Sequence, residues 1–142
     1  MIGTWQLWAA GSAVFAALTA IFGKIGVEKI DSNLATLIRT IFIVGVLAGI
    51  VAFTGAWQPL NSIGRRTWLF LLLSGLATGA SWLCYYHALK MGPASGVAPI
   101  DKLSVVLVAI FGAAVLGEAL SWKNWLGVAM MAAGAILVAL RA

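Results

Sequence analysis

Residues 34–54 read LATLIRTIFIVGVLAGIVAFT, an apolar run whose one charged residue is Arg39. At about 1.5 Å per residue, a helix of this length reaches about 30 Å, which is the thickness of a bilayer's hydrocarbon core. A soluble protein would have to hide every face of such a helix. The composition leaves little polar surface to do so: of 142 residues, 63% are hydrophobic and 9% charged, with mean hydropathy +1.05. Globular domains lie near half apolar and about a quarter charged. The excess apolar surface must therefore face lipid.

Four more windows pass the same length test. Together the five expected spans are 4–23, 34–54, 68–89, 94–117 and 122–140. In hydrocarbon each backbone polar group must be satisfied within its own segment, and these runs are too long for barrel strands. The expected fold is all-α, a single transmembrane domain over residues 1–142 with loops of a few to a dozen residues. Asp31-Ser32-Asn33 precedes the second span with short side chains suited to cap its first N–H groups. Lys90-Met91-Gly92-Pro93 is a turn by composition. Gly45/Gly49, Gly75/Gly79 and Gly92/Gly96 each have G-x-x-x-G spacing, a weak dimer signal among 16 glycines, though so many small residues predict a tightly packed bundle.

The net charge of +5 and pI near 9.9 raise the question of nucleic acid. The nine Lys and Arg are spread along the chain, mostly in the gaps between apolar runs, a membrane-flank pattern rather than a basic binding face. The single cysteine, Cys84, permits no internal disulfide and no cysteine-based metal site. The first run is about as long as a span and follows no charged leader, so it is expected to be retained. No nucleophile–base–acid set, histidine pair or phosphate-cradling loop is present, so neither an enzyme nor a cofactor or metal is expected.

An odd number of spans puts the chain ends on opposite faces. The face of Met1 then carries Arg65, Arg66 and Lys123, and the other carries Lys24, Lys29, Lys90 and Arg141. This near-balance gives a poor vote on orientation. Misplaced helix ends explain it, and so does insertion in both orientations with head-to-tail pairing, the plan of inverted-repeat transporters.

Ionisable groups within the spans carry the functional signal, because each costs about 2.5–3.5 kcal/mol at mid-bilayer. By helix rise, Arg39 lies about 8 Å into the second span, and Asp101 with Lys102 about 10 Å into the fourth, both counted from the same face. A polar cavity opening on that face is expected, lined by Arg39, Tyr86, His87, Asp101, Lys102 and Ser104. Arg39 also has ordinary roles open to it, snorkelling or an ion pair with Asp101, its partner by depth. Asp101, Glu118 and His87 are the proton-coupling candidates, although a cation beside Asp101 works against that role. His87 also suits the interfacial aromatic belt with Tyr85 and Tyr86. Glu118 stands where the fourth span ends, as a turn residue or a gate. Pro99 removes a helix hydrogen bond two residues before Asp101 and is the expected kink.

Four stretches carry a family resemblance: Phe22-Gly23-Lys24-Ile25-Gly26, Ala35-Thr36-Leu37-Ile38-Arg39-Thr40, Trp82-Leu83-Cys84-Tyr85-Tyr86-His87-Ala88-Leu89, and Val97-Ala98-Pro99-Ile100-Asp101-Lys102-Leu103-Ser104 through Leu116-Gly117-Glu118. In them the sequence resembles the EamA-like branch of the drug/metabolite transporter superfamily, in its short five-span bacterial members. Those relatives place a basic residue where His87 stands, so this position departs from their pattern. The resemblance implies half of an inverted-repeat transporter in a bacterial inner membrane. Such a half needs a partner, most simply a second copy in antiparallel orientation, to move a small metabolite by rocking of one half against the other. A subunit of a lipid-linked carrier flippase, with Arg39 and Lys102 on a phosphate, is the alternative, and a non-transporting assembly partner is a third.

Overall fold

The computed structural model describes residues 3–140, and every regular element among them is helical. The elements are α1 (Thr4–Val27), α2 (Ser32–Thr54), a short 3-10 turn (Leu60–Ser62), α3 (Arg65–Met91), α4 (Ala94–Asp101), α5 (Ser104–Val115) and α6 (Trp122–Ala139). Five stretches are long and apolar enough to cross a bilayer, with α4 and α5 together making the fourth. Large hydrophobic side chains lie exposed along all of them, Phe53 and Trp8 among the most so at 96% and 82%. That is the arrangement expected where lipid rather than water is the surrounding solvent.

Several helices overrun the apolar windows. α3 begins at Arg65 instead of 68 and ends at Met91 instead of 89, and α1 continues past Lys24 to Val27. Backbone hydrogen bonding is indifferent to side-chain polarity, so a helix carries on through charged residues that lie outside the hydrocarbon. Arg65, Arg66, Lys24 and Lys90 are accordingly helical residues, not loop residues, whereas Arg141 lies outside the described residues.

The ends of α2 show how local sequence sets a boundary. Asp31 Oδ1 accepts from the N–H groups of Asn33 (2.8 Å) and Leu34 (3.3 Å), which is the capping that the polar triplet predicts. At the other end Gly55 adopts φ +65°, its N–H donating to Ala52 O and that of Ala56 to Val51 O. This is a Schellman stop, and it needs the glycine because a Cβ disfavours that φ. Asp31→Ala is expected to cost about 1 kcal/mol, seen as a melting temperature a few degrees lower in detergent.

The contacts divide the chain into two compact units, one comprising the chain up to Lys24 and from Met91 onward, the other Ile25–Lys90. In the first, α4 and α5 both pack against α6. The half-buried residues of α6 are Val128, Ala132, Ala135 and Ala139, spaced four, three and four apart and therefore on one face. In the second unit, the start of α2 lies along the end of α3. Lys90 Nζ donates to Ile30 O (2.7 Å), and Ser32 Oγ stands 3.4 Å from His87 Nδ1, so the two helices run antiparallel there. Val27, Leu89 and Tyr86 are buried in this unit.

The glycines of the first two G-x-x-x-G pairs make no close approach, whereas Gly96, of the third, is buried. A Cβ placed on Gly45, Gly49, Gly75 or Gly79 would meet nothing within 4 Å. Within the second unit these small-residue faces of α2 and α3 are left open.

Candidate functional site

Hydroxyls in the spans of the second unit satisfy themselves on their own helices. Thr36 Oγ1 donates to Ser32 O (2.8 Å), Thr40 Oγ1 to Thr36 O (2.7 Å) and Thr78 Oγ1 to Ser74 O (2.8 Å). This back-bonding to the carbonyl four residues earlier is how a polar residue becomes tolerable in hydrocarbon. Arg39 has no such solution. Its guanidinium carries five N–H donors and a permanent charge, more than one back-bond can satisfy.

Aromatic rings hold it instead. The Arg39 guanidinium carbon lies 4.0 Å from the centre of the Trp82 ring and 5.3 Å from that of Tyr86. Such stacking is worth about 2 kcal/mol when desolvated. Tyr86 is buried and meets Tyr85 edge-on, with ring centres 6.2 Å apart. Nη1 of Arg39 is shielded from solvent and has no hydrogen-bond partner. α2 and α3 contain no Asp or Glu, so no carboxylate of either helix offsets the charge.

Of the residues singled out from sequence, this unit brings Arg39 and Tyr86 together and places His87 one residue further on, exposed and beside Ser32. Trp82 and Ser32 escaped sequence reasoning. For Trp82 a signal existed. Of the seven tryptophans, Trp5, Trp8, Trp57, Trp68, Trp122 and Trp125 flank helix ends that alternate crossing assigns to one face, whereas Trp82 sits well inside α3. A belt residue explains the six and not the seventh.

The other unit holds Pro99, Asp101, Lys102, Ser104 and Glu118. Asp101 is ion-paired with its neighbour, Lys102 Nζ to Oδ2 at 3.0 Å. The fourth span is not one helix, as expected, but two. α4 stops at Asp101, and Leu103, Val105 and Val106 donate to the carbonyls of Ile100, Lys102 and Leu103, a three-residue spacing, before α5 proceeds from Ser104. Pro99 lies within α4, where it can give nothing to Ser95 O. A tightened stretch of this kind interrupts the regular ladder and is a place to bend. Pro99→Ala restores the donor and is expected to raise thermal stability, by up to about 3 kcal/mol, as read by melting in detergent.

Glu118 lies past the end of α5. Gly117 turns the chain at φ +70°, Glu118 N–H donates to Gly112 O (3.0 Å), and a Cβ on Gly112 would stand 2.8 Å from Glu118 Oε2.

Five lipid-facing helices with ionisable groups kept inside them define a multi-pass membrane protein. A family model described as the EamA-like transporter family matches residues 3–140, and the chain belongs to that family. It is 63% identical over 139 residues to an "Uncharacterized transporter in cobO 3'region" of Sinorhizobium sp, covering 98% of this chain and 99% of that one. It is 36% identical over 98 residues to human "Transmembrane protein 14C", 68% of this chain and 80% of that one. To a "Probable 4-amino-4-deoxy-L-arabinose-phosphoundecaprenol flippase subunit ArnE" of Aeromonas hydrophila it is 33% identical over 82 residues, 58% of this chain and 67% of that one. No solved structure matches it.

Proposed function

We propose that the protein carries a small metabolite across the bacterial cytoplasmic membrane, working as a dimer of antiparallel copies, with Arg39 meeting the solute. The observation that carries this reading is the Arg39 guanidinium, kept within a span with its charge unneutralised by α2 or α3 and a shielded donor unused. Nothing in the fold of a helix pair requires such a group, and an ionisable residue inside a span is by default a functional one. The open glycine faces of α2 and α3 support the dimer, since small residues unfilled within one chain are suited to close approach by another. The near-balance of basic residues on the two faces supports the antiparallel arrangement.

Single cysteines placed near each terminus in a Cys84→Ser background test the arrangement in cells. Labelling of each by an impermeant thiol reagent from both sides of the membrane is expected; labelling from one side alone removes the antiparallel dimer. Uptake into proteoliposomes tests transport itself, with Asp101→Asn as the probe of proton coupling. Unchanged uptake in that variant takes Asp101 out of the mechanism. A second reading, a subunit of a lipid-linked carrier flippase, is favoured by the similarity to the ArnE protein. Translocation of a phospholipid-like carrier with no uptake of soluble metabolites would support it.

A further inference from the structure

Two rings stand over the Arg39 guanidinium, Trp82 at 4.0 Å and Tyr86 at 5.3 Å, and neither takes its N–H groups. The rings stabilise the charge through their faces but supply no acceptor in the plane of the guanidinium, where all five donors point. What the site lacks is therefore specific: an in-plane acceptor bearing negative charge. α2 and α3 bring no carboxylate and only positive charges, Arg39, Arg65, Arg66 and Lys90. A cationic ligand would meet like charge, and a neutral one would leave the half-buried charge without a counter-ion. A carboxylate or phosphate matches the planar fork with two parallel hydrogen bonds and neutralises it. Trp82, set apart from the six interfacial tryptophans, has the position of a platform under the guanidinium.

We infer that Arg39 on its Trp82–Tyr86 platform is an oxyanion-binding site, taking the carboxylate or phosphate of a solute or of a lipid headgroup. This deepens the transporter reading and rests on it for the solute's passage, though not for the binding event.

The test uses the full chain in nanodiscs of phosphatidylcholine, with benzoate, inorganic phosphate and tetraphenylphosphonium as probes. Melting temperature and tryptophan emission are both read. Benzoate or phosphate is expected to raise the melting temperature saturably and to change the emission, with tetraphenylphosphonium doing neither. Trp82→Phe should remove most of the emission change, and Arg39→Lys should weaken anion binding on the order of tenfold, since a point charge replaces the fork. The lysine variant keeps the cation, so a folded protein is retained for the comparison. In nanodiscs containing phosphatidylglycerol, loss of the soluble-anion response together with an Arg39-dependent rise in melting temperature identifies a headgroup as the occupant. Retention of the response identifies a solute. Binding of tetraphenylphosphonium without binding of either anion, or anion responses equal in Arg39→Lys and parent, overturns the site. Anion binding without flux of any anion tried leaves the site standing and removes the transporter reading.

Discussion

Arg39→Met is expected to abolish transport while the protein melts no lower than the parent. An arginine costs about 2.5 kcal/mol at mid-bilayer on insertion scales and less at the depth of Arg39, about 8 Å into the span, whereas methionine is at home at either depth. The substitution forfeits stacking on Trp82 and Tyr86, worth about 2 kcal/mol at most, and it removes a charge that α2 and α3 do not neutralise. The two effects nearly cancel, or favour the variant. For flux the balance is one-sided. A charge-assisted bond to the carried solute is worth about 1.5–3 kcal/mol, so its loss lowers uptake by roughly ten- to a hundredfold. Melting in detergent and uptake into proteoliposomes, measured on the same preparation, check both halves. A steep fall in melting temperature would make Arg39 a structural residue and remove its role as the solute's partner.

The second large effect is expected at the ion pair. Lys102→Met leaves Asp101 without its partner about 10 Å into the fourth span, counted from Ala94 by helix rise. In water an exposed pair of this kind would be worth little. The bilayer changes the comparison, because the lone carboxylate then carries an insertion cost of about 2 kcal/mol, roughly thirtyfold in the ratio of inserted to uninserted chain. Asp101→Asn combined with Lys102→Met removes both charges together and should restore insertion toward the parent level. Membrane yield of the three variants, read by protease protection, gives the answer. Equal yields for the single and double variants would show that the pair contributes nothing to insertion.

The five crossings are readable in the sequence because hydrocarbon thickness sets a length that apolar runs either reach or miss. Helix ends are less so. Arg65 and Met91 extend α3 beyond its apolar window, and only the hydrogen-bond ladder reports that. Asp31 is legible as a cap because its chemistry is local, involving donors two and three residues on. The interruption after Asp101 is half legible. Pro99 announces a weak point, but the place where the ladder tightens depends on how α4 and α5 settle on α6.

The same division runs through the candidate site. Arg39 stands out in sequence by its cost alone. Its platform does not, since a tryptophan in an apolar run has the look of bulk filler, and the meeting of Trp82 with Arg39 depends on the register between α2 and α3. Asp101 shows the reverse: depth singled out the distant Arg39, while the ion pair seen within its own unit is with the adjacent Lys102. Adjacency along the chain brought together what depth could not rank.

The alanines along the packed face of α6 bear on how the fourth span can move. Ala132, Ala135 and Ala139 carry only methyl groups, so the two helical segments that rest on them meet a seam without knobs. Interlocked leucines would have to change rotamer for every step of sliding, whereas methyl against backbone offers a nearly smooth track. Such a seam would offer little resistance to a bend of the fourth span where its ladder is interrupted after Asp101. A single leucine at Ala132 would work as a wedge in that track.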